Sequence, residues 1–556
     1  MRYQTGITGL ILLALAQAGL AADKTTVHVI VKYKQAIPMT SLQTELTKTV
    51  NLPLSSLTAM AGGAYALTFN TDSLQLGTTS TDATIKVLER LRKMPNVLYA
   101  VKDRVGYFKP LPNPKEMPAY SLLSHDSQWD EFLPPAGVML ESAPGKRDGA
   151  WAHTTGQRAK PVVVAVLDTG VALNNSLIAN LVKDEQGKAW GWNFAANNRN
   201  ISDETGSYHG THVSGTIAGY GEVMTGIGEH LKILTVKIPD ASGMFYESQV
   251  INALYWSVGG KVPGIPDNPY PAKVLNMSFG LDEAPGKEID HCDKALQDAL
   301  SYVRDQGAVL IVAAGNDNRW EHYNAPAICN GTIKVASTGP EGLRAYYSNY
   351  GPSVSFAAPG GDLRYGQQGG ILSTVNPGGG YQRSGFDFYQ GTSMAAPHVA
   401  GVAGLVFAAS ERVPTPERVE QLLYATTHGF GQSHDQNKSC TGTKPCGHGI
   451  LDAENAVKAV IADFDEIFTA PTIKTLGLKS CGKGNFQAAA TLQTDKNQWI
   501  ELKTACQSET DYSQPIVEQS GEGKIIAHYG AASYRLDDSA FKYCQVIGFD
   551  GVGCNH

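Results

Sequence analysis

Five short runs of the chain, residues 161–167, 232–236, 274–277, 309–313 and 332–335, are almost wholly apolar and rich in β-branched side chains. A strand that is apolar at every position, rather than at alternate ones, has to be covered on both faces. Segments with helical spacing separate these runs, so the chain alternates strand and helix. The arrangement that satisfies both facts is a mainly parallel sheet between two layers of helices, an α/β domain of three layers spanning about 119–463. Glycine makes up 59 of the 556 residues and charged residues only 17%, against roughly 25% in an average soluble chain. Such a composition excludes global disorder and suits tight turns with closely packed backbone.

The flanking regions have different patterns. Residues 27–104 offer strands near 28–31, 54–60, 64–69 and 97–101, with Gly62-Gly63 as a hairpin turn. Ile85, Leu88 and Leu91 recur at spacing three between Asp82 and Pro95, which predicts a helix over 82–94; a second lies near 40–49. The order β-α-β-β-α-β is that of a ferredoxin-like α+β unit. Pro110, Pro112, Pro114 and Pro118 then mark an extended connector suited to proteolysis. Residues 464–556 carry no strong helical period and read as a small β-rich extension. Residues 1–21, with Arg2, an apolar run from Gly6 to Ala16 and small residues after it, read as an export signal. The expected division is 1–21 signal, 22–108 N-terminal domain, 109–118 linker, 119–463 main domain and 464–556 extension.

Charge and cysteine narrow the setting. Lysine and arginine total 45 against 52 acidic residues, a net charge of −7. With no dense basic run, nucleic acid is not an expected partner. Beyond the N-terminus no stretch of about 18 apolar residues escapes a charge or a proline, so no membrane association is expected. All eight cysteines lie beyond residue 290. In an exported chain an even count favours disulfides. Cys440 with Cys446 and Cys544 with Cys554 close short loops, which leaves Cys292 with Cys329 and Cys481 with Cys506. The last four cysteines still allow three connectivities.

Three segments place reactive side chains at the ends of buried elements. The first, Val164-Ala165-Val166-Leu167-Asp168-Thr169-Gly170, delivers a carboxylate to the C-terminal end of a strand, where α/β sheets bind ligands. In His209-Gly210-Thr211-His212-Val213-Ser214-Gly215, two histidines stand three apart on a helix whose glycines permit close packing. A metal pair there would need a third ligand and a glutamate base, and no HExxH occurs. The third, Gly391-Thr392-Ser393-Met394-Ala395-Ala396-Pro397-His398, puts Ser393 at a helix N-terminus, where backbone N–H groups favour developing negative charge. Each admits a plainer reading: Asp168 as a turn cap, Ser393 as a helix cap, His398 as a packed core residue. Together they hold the acid, base and nucleophile that a serine hydroxyl needs for acyl transfer.

The chain order acid, base, serine and all three segments resemble the subtilisin-like serine proteases, or subtilases, over about 119–463. The resemblance implies Asp168 as orienting acid, His212 as general base and Ser393 as nucleophile of a serine endopeptidase. Val312-Ala313-Ala314-Gly315-Asn316 resembles the family's oxyanion segment, with Asn316 as donor. Asn276-Met277-Ser278-Phe279-Gly280 resembles its substrate strand, so that Ser278, Phe279 and Gly280 would bind an extended peptide. The N-terminal unit is similar to the family's inhibitor prodomain, with processing points around Tyr107-Phe108 and the proline-rich stretch. The resemblance thus implies a secreted, monomeric zymogen acting on proteins and peptides, with its own prodomain as intramolecular inhibitor.

No cofactor is expected for the chemistry. The family leaves room for structural calcium, with no site assigned: the loop that often binds it reads 220–226 here and holds one carboxylate, while Asp203-Glu204 and Asp317-Asn318 are further oxygen-rich loops. The edge strand Ser242-Gly243-Met244-Phe245-Tyr246 carries bulky groups expected to narrow a distal pocket. Gly280 suggests tolerance of medium or large apolar side chains in the main pocket. An inactive binding relative and an esterase are the rival readings. The first has no need of four catalytic groups, and the second none of a prodomain and a peptide-pairing segment.

Overall fold

Val27, Val29 and Val31 are fully buried along Thr26–Tyr33 (β1), and their alternation sets one face of a sheet against two helices. A computed structural model describes residues 26–72, 80–108, 125–282, 291–321, 324–377, 384–441 and 443–462, with short strands between 472 and 536. The chain divides into two compact units, residues 1–104 and 105–556.

In the first unit β1 is followed by Met39–Val50 (α1), Leu54–Ala59 (β2), Ala64–Asn70 (β3), Ser80–Arg92 (α2) and Val97–Lys102 (β4). The four strands form an antiparallel sheet in the order β2-β3-β1-β4. The turn before β3 runs through Gly62 and Gly63 at φ 67° and 77°, values that only glycine adopts freely. Leu42, Leu46, Val87 and Leu91 of the helices share one core with β1, β3 and β4.

The second unit opens with Val105–Tyr107 (β5) and continues through Val163–Asp168 (β6), Gly191–Asn193 (β7), Lys232–Lys237 (β8), Met244–Tyr246 (β9), Val274–Met277 (β10), Leu281–Asp282 (β11), Val309–Ala313 (β12), Ile333–Thr338 (β13) and Phe356–Pro359 (β14). Seven of these make a parallel sheet in the order β14-β13-β12-β10-β6-β8-β7. β10 and β12 have the bounds read from the sequence. β7 and β14, three and four residues long, are too short to show a pattern of their own.

The helices of this unit include His209–Ala218 (α3), Glu247–Ser257 (α4), Lys294–Asp305 (α5) and Thr392–Ala409 (α6). Val213 and Ile217 of α3 and Met394, Val399, Val402 and Val406 of α6 share a core with Val164, Val166, Ile311 and Val335 of the sheet. α4 and α5 pack on each other and on β6, β8 and β12. α6 is long and apolar enough to cross a membrane, but it is the buried central helix of this core. Sequence order runs from β6 through β8 to one edge and from β10 through β14 to the other, so the direction reverses beside β6. Crevices at the carboxyl ends of strands flanking such a reversal are where open α/β sheets bind ligands.

Cys292–Cys329 and Cys440–Cys446 are disulfide-bonded. The pairing of Cys481, Cys506, Cys544 and Cys554 concerns side chains outside the described residues, as do the export signal and the linker. Between 472 and 536 the chain forms two small antiparallel sheets.

Candidate active site

Asp168 is the last residue of β6 and is wholly buried. Its Oδ1 accepts from the Thr169 N–H at 2.7 Å and lies 2.8 Å from Nδ1 of His209. Thr169 in turn accepts from the Gly210 N–H at 2.9 Å. A β-carbon at Gly210 would overlap the Gly170 carbonyl oxygen and sit 3.1 Å from Asp168 Oδ1. The helix can therefore start against the end of β6 only because residue 210 is glycine. That contact puts the residue before it, His209, on the carboxylate.

The sequence reading placed the general base at His212, but it is His209, not His212, that lies on Asp168. His212 lies one turn further into α3 with no exposed surface. Its Nε2 stands 3.0 Å from the Ile371 carbonyl oxygen and 3.1 Å from that of Asp387. Carbonyls only accept, so Nε2 carries the proton and donates. The ring stacks on Tyr389 at 4.2 Å between centroids. Burial drives its pKa down to about 3. It is a neutral packing residue between α3 and the hairpin of Ile371–Val375 (β15) and Gly385–Tyr389 (β16). Spacing alone did not separate the two histidines.

Burial pushes the His209 pKa down as well, but the Asp168 carboxylate and the hydrogen bond to it, with Asp203 further off, more than offset this, and the pKa is raised. Since a base must be neutral to act, the acid limb of kcat/KM should lie above pH 6.5. Asp168→Asn should move that limb downward as well as slowing the reaction, and a pH–rate profile of both proteins checks it. An unmoved limb would dissociate Asp168 from the titrating base.

Ser393 is the second residue of α6, and its hydroxyl donates to the Ser278 carbonyl at 3.2 Å. Pro397, four residues on, has no N–H, so the Ser393 carbonyl lacks its helical partner. The Ser278 hydroxyl supplies one at 3.0 Å. This reciprocal pair fastens the serine to the segment after β10.

Asn316 follows Gly315 at the end of β12. Its Oδ1 accepts from both the N–H and the hydroxyl of Thr392 at 2.8 Å. The Thr392 N–H can only donate, which fixes the amide oxygen inward and turns Nδ2 outward beside the first turn of α6.

Phe279 and Gly280 lead into β11. β5 lies between β11 and β9 as the middle strand of an antiparallel sheet, pairing Gly106 with Leu281 and Phe245, and Val105 with Asp282 and Tyr246. The Phe108 N–H continues the ladder to the Gly243 carbonyl at 2.8 Å. The Phe108 ring is buried against His209, Phe245 and Phe279, with centroids 5.4, 5.4 and 5.9 Å away. Residues 105–108, expected with the N-terminal domain, thus belong structurally to the second unit. Their place was not legible, because no sequence pattern says which strand a three-residue segment will join.

His398 is a core residue, with Nδ1 at 2.8 Å from the Met394 carbonyl and Nε2 at 2.9 Å from buried Asp130. Among the described residues no group of three or more His, Cys, Asp or Glu side chains could hold a metal ion. The loop 220–226 is instead held by the Gln128 amide, which donates to the Thr225 carbonyl at 2.7 Å and accepts from its N–H at 2.8 Å. The Asp203 carboxylate is taken by Thr211 and Thr205.

The subtilase family model matches residues 159–449. The chain belongs to the subtilase family. An extracellular basic protease of Dichelobacter nodosus is 31% identical over 81% of this chain and 73% of its own length. An extracellular protease of Xanthomonas campestris is 31% identical over 80% and 74%. Among solved structures, a protease of Pseudoalteromonas arctica aligns at TM-score 0.51 and 34% identity, over 61% of this chain and 99% of that one. Fervidolysin of Fervidobacterium pennivorans, at 18% identity and TM-score 0.55 over 93% of this chain and 86% of its own, shares the fold. This subtilase is accordingly a serine protease built on a subtilisin-like α/β domain.

Proposed function

We propose that this subtilase is a secreted endopeptidase made as a zymogen, with Asp168, His209 and Ser393 as its catalytic triad. The observation that carries the reading is the buried Asp168–His209 pair, beside a groove in which residues 105–108 already lie as an extended peptide. A substrate would enter as the same middle strand, its backbone bonded on one side to β9 and on the other to β11.

In the reaction the Ser393 hydroxyl turns from the Ser278 carbonyl to His209 Nε2, which accepts its proton as Oγ attacks the peptide carbonyl. Asp168 holds the Nδ1 proton and stabilises the imidazolium. The oxyanion receives hydrogen bonds from Asn316 Nδ2 and the Ser393 backbone N–H at the start of α6, where the helix dipole adds to the effect. The imidazolium then gives its proton to the leaving amine. Water, deprotonated by His209, hydrolyses the acyl-enzyme.

Residues 26–102, a folded unit joined directly to the strand in the groove, fit the role of an inhibitor that is cut away after folding. The extracellular relatives and the pattern of residues 1–21 support secretion.

Casein hydrolysis abolished by a serine-directed organophosphate tests the reading, and hydrolysis indifferent to the inhibitor would overturn it. Asn316→Ala should lower kcat by about 10²–10³ with little change in KM, since the amide acts on charge present only in the transition state. Steady-state kinetics on a peptide amide checks this, and a KM effect alone would assign Asn316 to binding.

A further inference from the structure

The groove strand alternates sharply. Val105 and Tyr107 are partly exposed, while Gly106 and Phe108 are buried. Gly106 is directly opposite both Phe245 and Leu281, each 1% exposed. A β-carbon at Gly106 would overlap the Phe245 ring and come within 2.8 Å of the Gly280 carbonyl oxygen. The ring has little room to retreat, because Phe279 stands 5.1 Å from it and Phe108 5.4 Å. The Gly280 carbonyl belongs to the backbone and cannot rotate away as a side chain could. Two residues on, by contrast, the groove opens into a nest of Phe245, Phe279 and the His209 ring, filled by Phe108.

We propose that Phe245 makes this groove selective for peptides with glycine opposite Phe245 and an aromatic residue two positions on, its ring against His209. The inference rests on the reading of this groove as the substrate site. It adds a determinant that the catalytic residues do not contain. One phenylalanine serves both positions: its ring closes the glycine position and walls the aromatic one. Overpacking an already filled site is costly, so a single methyl at the glycine position should be felt strongly.

The test uses the secreted, casein-cleaving enzyme and the acetylated hexapeptide Asp-Arg-Val-Gly-Tyr-Phe as a competitive inhibitor of casein hydrolysis. Alanine in place of the peptide's glycine should weaken inhibition about tenfold or more, as should alanine in place of its phenylalanine. In the Phe245→Gly enzyme the glycine and alanine peptides should become equivalent. Equal inhibition by the glycine and alanine peptides in the wild-type enzyme, or no inhibition by any peptide, would overturn the proposal. Should Phe245→Gly fail to fold, the comparison in the wild-type enzyme still decides. Casein hydrolysis without this selectivity would leave the endopeptidase reading standing, whereas absence of casein hydrolysis would count against that reading itself.

Discussion

Ser393→Ala should reach the medium with its N-terminal unit still attached and cleave casein roughly a million-fold more slowly than the wild type, a magnitude taken from subtilisin rather than from this geometry. The residue opens α6, and its carbonyl is already held by Ser278 because Pro397 leaves it free. Alanine keeps that backbone bond and loses only the side-chain bond to the Ser278 carbonyl. The variant should therefore fold and unfold as the wild type does, with the chemistry alone removed. Two measurements check this: the intact mass of the secreted product and its rate on casein. A fully processed, active Ser393→Ala would end the case for a serine nucleophile.

The second large effect separates two histidines that stand one helical turn apart. His209→Ala should cost activity on the scale of Ser393→Ala even in its folded molecules, beyond whatever stability is lost when the buried Asp168 carboxylate is left without its partner. His212→Ala should do the opposite. It removes a buried ring stacked on Tyr389 and two hydrogen bonds to carbonyls, leaving those acceptors exposed to a cavity. A loss of about 3–5 kcal/mol of stability is expected, with the turnover of the remaining folded molecules kept.

The same residue should govern acid sensitivity. Its folded pKa, about 3, is depressed below the usual 6.5. Its contribution is therefore complete above pH 6.5 and lost as pH falls from there toward 3, by up to about 1.4 kcal/mol per pH unit. For His209 the folded value is raised, so its contribution is complete below the unfolded value and fades as pH rises through the folded one. Urea unfolding at several pH values, in the Ser393→Ala background to prevent self-digestion, checks both signs. A His212→Ala protein with normal stability and no activity would reinstate His212 as the base.

The sheet was legible because burial on both faces leaves a mark in composition: 309–313 contains no polar residue, and the strand there has those bounds. Asp168, Ser393 and Asn316 stood out as candidates because Asp168 ends such a strand, Asn316 follows one and Ser393 opens a buried helix. The choice between His209 and His212 was not. Both lie on one short helix, and what separates them is the closeness of Gly210 to Gly170, a fact of packing between residues forty apart in the chain. The Ser278–Ser393 bond escaped for a related reason. Pro397 announces a free carbonyl, but its partner lies more than a hundred residues earlier in the chain. Phe245 was readable as bulk in the edge strand. That its ring faces a glycine of the same chain depends on where residues 105–108 dock.

Ser393, activated by His209 on Asp168, is the proposed nucleophile. Labelling the wild-type, His209→Ala and His212→Ala proteins with a biotinylated fluorophosphonate, followed by peptide mass mapping, tests it most directly. One label is expected, on Ser393, in the wild type and in the folded fraction of His212→Ala, and almost none in His209→Ala. Rapid labelling that survives in His209→Ala, or that falls on a residue other than Ser393, would contradict it.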